Sequence, residues 1–215
     1  MIALLTDFGS RDHYVGAVKG TLLARCPDAT VVDITNELPR HDVAAAAFSL
    51  SAAHRSFPAG TVFVAVVDPG VGSERRALAV EAGGYQFVGP DNGVFTLILA
   101  EHPQARAREI RNARLLAPDV SATFHARDIF APAAAHLASG GSAADLGPLV
   151  RDPVVFVLEA VRRLASGEWE AAVVDVDAFG NLTTNLSSRD LAGILDTLEG
   201  DPTRVVVIVE GVVLR

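Results

Sequence analysis

The chain has 215 residues, of which half are hydrophobic and one fifth are charged, and its mean hydropathy is +0.32. This composition is typical of a globular protein with a sizeable core and excludes a disordered chain. The formal charge of -8, with only two Tyr and one Trp, argues against nucleic-acid binding, which needs a basic face and stacking side chains.

Cysteine content and hydropathy limit the compartment and the kinds of site. The single cysteine, Cys26, excludes an internal disulfide and any cysteine-based zinc or iron–sulfur site. The opening segment MIALLTDFG is too short for a signal peptide, and no apolar run is long enough to cross a bilayer. We therefore expect a cytoplasmic protein with no membrane contact, no metal site and no cofactor.

The first two thirds of the chain alternate between strand and helix patterns. Asp42 is placed to cap the second helix, and Gly83-Gly84 marks a hairpin. This alternation predicts an α/β domain, residues 1–152, with a mostly parallel sheet and helices on both faces. The predicted strands are Met1–Leu5, Thr30–Ile34, Thr61–Val67, Ala77–Glu81 and Gln86–Val88, and the predicted helices are Val15–Cys26, Val43 to about Arg55, Val94–Ala100 and Ile129–Leu137.

The pattern changes from about Asp152 onward. Val154–Leu164 is interpreted as a connector, Glu170–Val176 begins a β-rich stretch, and Thr203–Leu214 is a further strand or hairpin arm. We predict a smaller, all-β, barrel-like domain over residues 165–215. It has too few residues to close a stable barrel alone, so it is either completed by another subunit or shortened.

Two carboxylates follow predicted strands of the sheet. Ligands of open α/β sheets bind beyond the carboxyl ends of the strands, and both Asp7 and Asp68 occupy that position. Asp7 could bind a ribose diol, or it could simply cap a turn. Gly70 and Gly72 predict a tight loop that could pair Asp68 with Arg75, either at a functional site or as a surface salt bridge.

Two further segments carry polar side chains suited to a site. His125 lies in a short polar cluster at the start of a predicted helix, where it could take a proton from water or merely bond to the backbone. In the β-rich part, Asp177 could meet an ammonium group, Phe179 could stack on a purine and Asn181 could read a base edge. The same segment could equally be a hairpin turn.

Five ordered segments together resemble the S-adenosylmethionine hydroxide adenosyltransferases, the hydrolytic relatives of fluorinase and chlorinase. The resemblance runs from residue 1 to about 190. The segments that carry it are Asp7-Phe8-Gly9, Val67-Asp68-Pro69-Gly70-Val71-Gly72, Gly89-Pro90-Asp91-Asn92-Gly93, Thr123-Phe124-His125-Ala126-Arg127-Asp128 and Asp177-Ala178-Phe179-Gly180-Asn181.

The resemblance implies an activity, an assembly and a set of roles. It implies hydrolysis of S-adenosylmethionine at the ribose C5′ to adenosine and methionine, in a homotrimer whose active sites lie between subunits. Asp68, Arg75 and His125 map onto the catalytic triad. Asp7 maps onto the ribose contact, Asp177 onto the contact with the methionine ammonium, and Asn181 with Phe179 onto the adenine contacts.

The resemblance also leaves alternatives open. Family members continue past the strand that ends here at Arg215 into an Asn-Ser-x-Gly segment, which is absent, so a protein that binds an adenosyl ligand without turnover is one alternative. Halide transfer is another, although halogenating relatives carry Tyr at the position of Asp68 and fluorinase carries Ser at that of Ala126. A methyltransferase is disfavoured because no G-x-G-x-x-G follows the first strand.

Overall fold

A computed structural model describes residues 1–157, 159–198, 200–201, 205–209 and 212–214. The chain divides into two compact units, Met1–Phe156 and Val157–Arg215. Within the described residues, no helix is long and apolar enough to cross a membrane.

The first unit is built on a seven-stranded mixed sheet of order β2-β1-β3-β5-β4-β6-β7. The four strands β2, β1, β3 and β5 run parallel, whereas β4, β6 and β7 join by antiparallel pairings. The α/β class is therefore confirmed, with parallel pairing confined to four of the seven strands. The strands are β1 Ile2–Thr6, β2 Val31–Thr35, β3 Val62–Val66, β4 Ala77–Ala82, β5 Tyr85–Pro90, β6 Arg106–Glu109 and β7 Leu149–Val150, and the last two were not predicted.

Four α-helices cover this sheet: α1 Tyr14–Arg25, α2 Val43–Ala53, α3 Thr96–Glu101 and α4 Ala131–Ala138. The Asp42 side chain accepts a hydrogen bond from the Ala45 amide (2.9 Å), so the predicted cap of α2 is present. A 3₁₀ turn, His54–Ser56, extends α2, another spans Ala143–Asp145, and a π-helical turn, Ala126–Phe130, leads directly into α4.

Buried strands with both faces covered explain the continuous apolar runs of the sequence. In β1, Ile2 and Leu4 pack into the core beneath α1 and α4, while Ala3 and Leu5 pack into the core beneath α2 and α3. All four side chains are fully buried. Because neither face of these strands meets water, the period-two alternation of a half-exposed strand is absent.

In the second unit, the described residues form three separate two-stranded antiparallel sheets and one helix, α5 Ser188–Asp196. Its strands are β8 Arg162–Arg163, β9 Trp169–Glu170, β10 Val173–Val176, β11 Leu182–Thr184, β12 Val207–Val209 and β13 Val212–Leu214. The β-rich character agrees with the prediction, but α5 was missed. Of the predicted arm Thr203–Leu214, the residues Thr203, Arg204, Glu210 and Gly211 lie outside the described residues.

Candidate active site

A cleft of about 420 Å³ opens at the carboxyl ends of β1 and β3. Asp7 directly follows β1, and Asp68 lies two residues beyond the end of β3. Both line the cleft, together with Tyr14, Phe124 and His125. The parallel pairing of β1 with β3 thus brings two carboxylates from distant parts of the sequence to one opening.

The loop after β3 turns back so sharply that Arg75 meets Asp68. The Val71 amide donates to the Asp68 carbonyl (3.2 Å), and the Ser73 amide donates to the Gly70 carbonyl (3.1 Å). Gly72 has a φ of +78°, and a Cβ built there would lie 2.3 Å from the Ala122 carbonyl oxygen. Glycine is therefore required at position 72 for both backbone conformation and space.

Asp68, Arg75 and His125 form one hydrogen-bonded cluster. The Arg75 Nε donates to Asp68 Oδ1 (2.9 Å), and its Nη2 donates both to Asp68 Oδ2 and to His125 Nδ1, the latter at 2.7 Å. The Asp68 and Arg75 side chains are only 5% and 9% exposed. The planar guanidinium is thus fixed by two partners at once, and the pairing is not a loose surface salt bridge.

This contact defines the state of the His125 imidazole. Arginine only donates hydrogen bonds, so His125 Nδ1 must present its lone pair and the proton of the neutral ring sits on Nε2. Burial, and then the positive charge of Arg75, lower the pKa of His125 below its ordinary value. The neutral imidazole therefore offers an N–H donor, and its one lone pair is already occupied.

The backbone holding His125 is an unusual helix start. His125 immediately precedes the π-helical turn Ala126–Phe130, a feature that occurs often at functional sites. Asp128 within this turn is buried, forms an ion pair with Arg127 and accepts a hydrogen bond from the Ser121 amide (2.8 Å). Asp128 therefore anchors the segment that carries His125.

One carboxylate oxygen of Asp7 binds the protein backbone. Its Oδ2 accepts a hydrogen bond from the His41 amide (2.9 Å). His41 has a φ of +65°, a conformation that no other non-glycine residue adopts among those described. Asp7 therefore stabilises a strained loop, as the turn-capping interpretation predicted. It also lines the cleft, where it is placed to bind a substrate.

An aromatic cluster beside Asp7 was not singled out by the sequence. The ring of Tyr14 lies 6.0 Å from that of Phe8 and 5.2 Å from that of Phe124, measured between centroids. The three come from a loop, a helix and the segment before His125, so only the sheet topology brings them together. They give one wall of the cleft an apolar character.

The remaining predicted site residues lie in the second unit, on the turn between β10 and β11. Asp177 accepts hydrogen bonds from the amides of Phe179 (2.9 Å) and Asn181 (2.8 Å) and from the Asn181 side chain (2.7 Å). The contacts from Asn181 lower the pKa of Asp177. Phe179 is 92% exposed, so it does not pack in a core of this unit. The segment thus forms the hairpin turn that was one of its two interpretations, and these hydrogen bonds favour the ionised form of the Asp177 carboxylate.

Comparison with known proteins connects this geometry to a family. The model for the SAM hydroxide adenosyltransferase N-terminal domain matches residues 2–147, which include Asp7 and the Asp68–Arg75–His125 cluster. The chain belongs to this family.

Several relatives match over most of the chain. A protein of Thermus thermophilus named (R)-S-adenosyl-L-methionine hydrolase is 42% identical, over 91% of this chain and 78% of the relative. One of the same name from Salinispora tropica is 45% identical, over 84% and 70%. A fluorinase of Actinoplanes sp. is more distant, at 28% identity over 99% and 79%.

A solved structure supports the fold. The crystal structure of an uncharacterized conserved protein from Thermotoga maritima superposes with a TM-score of 0.86 at 38% identity, covering 96% of this chain and 77% of the other.

The lowered pKa of His125 predicts the acidic limb of the pH profile of this family member. The ring is neutral above its pKa in the folded protein, which lies below the ordinary value of about 6.5. Protonation of His125 at Nδ1 would place two N–H donors opposite each other, so the hydrogen bond from Arg75 would be lost. We expect kcat/KM to fall only as the pH drops through this lowered value. A limb with its midpoint at or above about pH 6.5 would contradict the prediction.

Proposed function

We propose that the chain hydrolyses S-adenosylmethionine at the ribose C5′, giving adenosine and methionine. The observation that carries the proposal is the partly buried, hydrogen-bonded Asp68–Arg75–His125 cluster in a cleft that also holds Asp7. Two relatives at 42% and 45% identity bear the name of this activity. A cytoplasmic location agrees with this small-molecule substrate.

The chemistry follows from the charges of the substrate. The sulfonium sulfur makes methionine an excellent leaving group: the C5′–S bond breaks, and its electron pair remains on the sulfur. The difficult reactant is water, because it is a very weak acid and a poor nucleophile at neutral pH. The reaction therefore needs a water held in line with the C5′–S bond and relieved of a proton. It needs no cofactor, because the leaving group is already activated.

The three residues of the cluster position the water and remove its proton, and each has a different role. Asp68 accepts the proton of the attacking water, since a carboxylate has about four lone-pair positions and Arg75 uses only two. The Arg75 guanidinium stabilises the developing hydroxide electrostatically. His125 orients the water through its Nε2–H. The sequence suggested His125 as a second proton acceptor, but the Arg75 contact at Nδ1 favours a donor instead.

Hydrolysis is favoured over halide transfer by the carboxylate at position 68. A negative group beside the nucleophile repels fluoride or chloride, whereas it accepts a hydrogen bond from water. The fluorinase relatives resemble this chain less closely than the hydrolases do, at 28% against 42% and 45% identity.

The direct test of the activity is chromatography of a reaction that contains only the protein and S-adenosylmethionine. We expect adenosine and methionine to accumulate in equal amounts over many turnovers. S-adenosylhomocysteine as the product would indicate a methyltransferase. Binding of S-adenosylmethionine without any product would indicate a binding protein, and either result would contradict the proposal.

Asp7 is proposed to bind the ribose diol. Replacing Asp7 with Ala should weaken binding of both S-adenosylmethionine and adenosine by about 1.5–3 kcal/mol, because both carry the diol and the lost bond is charge-assisted. Calorimetry with each ligand measures the change. Since Asp7 also holds the His41 amide, unchanged adenosine affinity in a folded variant would show that Asp7 serves only the loop.

The second unit is proposed to complete the site in a homotrimer. Asp177 would contact the methionine ammonium, and Phe179 and Asn181 the adenine, as the resemblance implies. None of the residues 157, 159–198, 200–201 and 205–209 is buried, and Val157, Val206 and Ile208 expose 94%, 62% and 58% of their surface. Such a unit needs a further surface against which to bury its apolar side chains.

We therefore expect a trimer by light scattering at micromolar concentration. The assembly would bury the exposed apolar side chains of the second unit and form the active sites between neighbouring subunits. A monodisperse monomer that still forms adenosine would contradict the shared site.

A further inference from the structure

Three metal-ligating side chains meet at the edge of the sheet opposite the cleft. His54 lies between α2 and β3, Glu101 ends α3, and His102 follows it. Glu101 Oε1 lies 3.5 Å from His54 Nε2 and 3.1 Å from His102 Nε2, and the three ligand atoms all lie within 4.8 Å of one another. None of them belongs to the cluster proposed for catalysis.

The hydrogen bonding of His54 leaves its lone pair facing this group. His54 Nδ1 lies 2.8 Å from the Ser51 carbonyl oxygen, which can only accept, so the proton of the neutral ring is on Nδ1 and the lone pair is on Nε2. The side chain is fully buried. Its Nε2 has no hydrogen-bond partner among the described residues, and neither has His102 Nε2. The His54 lone pair and the Glu101 carboxylate oxygen are both electron-rich and repel each other. A positive centre between the two atoms, either a metal ion or a proton, would remove this repulsion.

The spacing suits a small divalent ion. Ligand atoms at bond lengths of about 2.0–2.1 Å around a tetrahedral ion lie about 3.3–3.5 Å apart, and the two measured separations are 3.1 and 3.5 Å. The bond between His54 and the Ser51 carbonyl is the outer contact that metal-bound histidines usually make. Arg55 donates to Glu101 Oε1 through both its Nε (2.9 Å) and its Nη2 (2.7 Å) and thereby fixes the carboxylate, whose Oε2 keeps its lone pairs available.

The cluster also has an approach from solvent. Glu101 and His102 line an open cavity of about 780 Å³ beside the β4–β5 hairpin. A Cβ at Gly83 of that hairpin would lie 2.7 Å from His102 Nε2, so only glycine leaves room for the ring there. An ion can reach the site without passing through the core.

We propose that His54, Glu101 and His102 bind one divalent transition-metal ion of the zinc class, apart from the catalytic cleft. Two imidazoles and a carboxylate are a usual ligand set for such ions. The ion would link the end of α2 to the end of α3 and so stabilise the first unit. The competing explanation is a proton: an imidazolium at His54 that forms an ion pair with Glu101.

The test is zinc titration of the full chain after removal of metals with a chelator. We expect calorimetry to show one zinc ion per chain and the melting temperature to rise on zinc addition. Glu101→Gln and His102→Gln each remove one ligand at a partly exposed position, which avoids opening the core at His54. Each should weaken binding about 100-fold or more, since loss of an outer contact alone costs about 10–100-fold.

His136→Gln is the matched control. His136 is also partly exposed and lies 3.2 Å from the carboxylate of Asp145, but within the part of the chain that the structure describes it belongs to no group of three metal ligands. This variant should bind zinc as the parent does. Absence of saturable zinc binding by the parent, or unchanged affinity in both ligand variants, would overturn the proposal and favour the proton. Adenosine formation is not the readout, so the site and the proposed activity can fail separately.

Discussion

Replacing Asp68 with Asn should lower kcat by about 10²–10⁴-fold with little change in substrate affinity. The amide has nearly the shape of the carboxylate, but it cannot take a proton from the attacking water. In the proposed site Asp68 contacts the water rather than the substrate, so the substrate dissociation constant should remain close to that of the parent. Single-turnover kinetics combined with calorimetric titration measure the two effects separately.

The Asp68 variant needs a control for stability, because removing one partner of a buried ion pair destabilises a protein. Asp91 is 6% exposed as a residue and pairs with Arg76 at 2.6 Å, outside the cleft lining. Asp91→Asn should therefore lower the melting temperature without a comparable loss of kcat. If Asp68→Asn lost no more activity than this control, the assignment of Asp68 as proton acceptor would be wrong.

Truncating His125 to Ala should also lower kcat by about 10²–10⁴-fold, while Gln at the same position should retain substantially more activity. Glutamine keeps an N–H donor for the water and a carbonyl that can accept from Arg75, but it is not a base. The contrast between the two variants reports whether His125 acts through the Nε2–H that its contact with Arg75 predicts.

Equal loss in the His125→Ala and His125→Gln variants would point to proton transfer by the imidazole, as the sequence first suggested. The comparison requires that both variants fold. Near-ultraviolet circular dichroism and the melting temperature check this directly, since His125 lies at the start of the π-helical turn.

The position of the cleft could be predicted from the sequence because it depends only on local patterns, namely carboxylates that directly follow apolar strands. Asp7 and Asp68 each follow a run of buried residues, and parallel strands present their carboxyl ends at one edge. The loop glycines likewise predicted that Arg75 folds back on Asp68. Strands β6 and β7 were missed because they are short and carry charged or exposed residues rather than an apolar pattern.

Other features of the site depend on contacts that no local pattern contains. The protonation pattern of His125 follows from one bond to Arg75, fifty residues away. The bond from the His41 amide to Asp7 rests on a positive φ in a residue type that rarely adopts one. His54 and Glu101 are separated by 47 positions and meet only because α2 and α3 pack on the same face of the sheet.

The most direct test of the proposed mechanism is a single turnover in oxygen-18 water with the protein in excess over S-adenosylmethionine. Direct attack by water forms the new C5′–O bond with solvent oxygen, so the account predicts the label on the adenosine 5′ hydroxyl in the first turnover. If the Asp68 carboxylate attacked C5′ instead, the first adenosine released would carry an unlabelled oxygen from the protein. Labelled adenosine would support water activated by Asp68, Arg75 and His125, and unlabelled adenosine would contradict it.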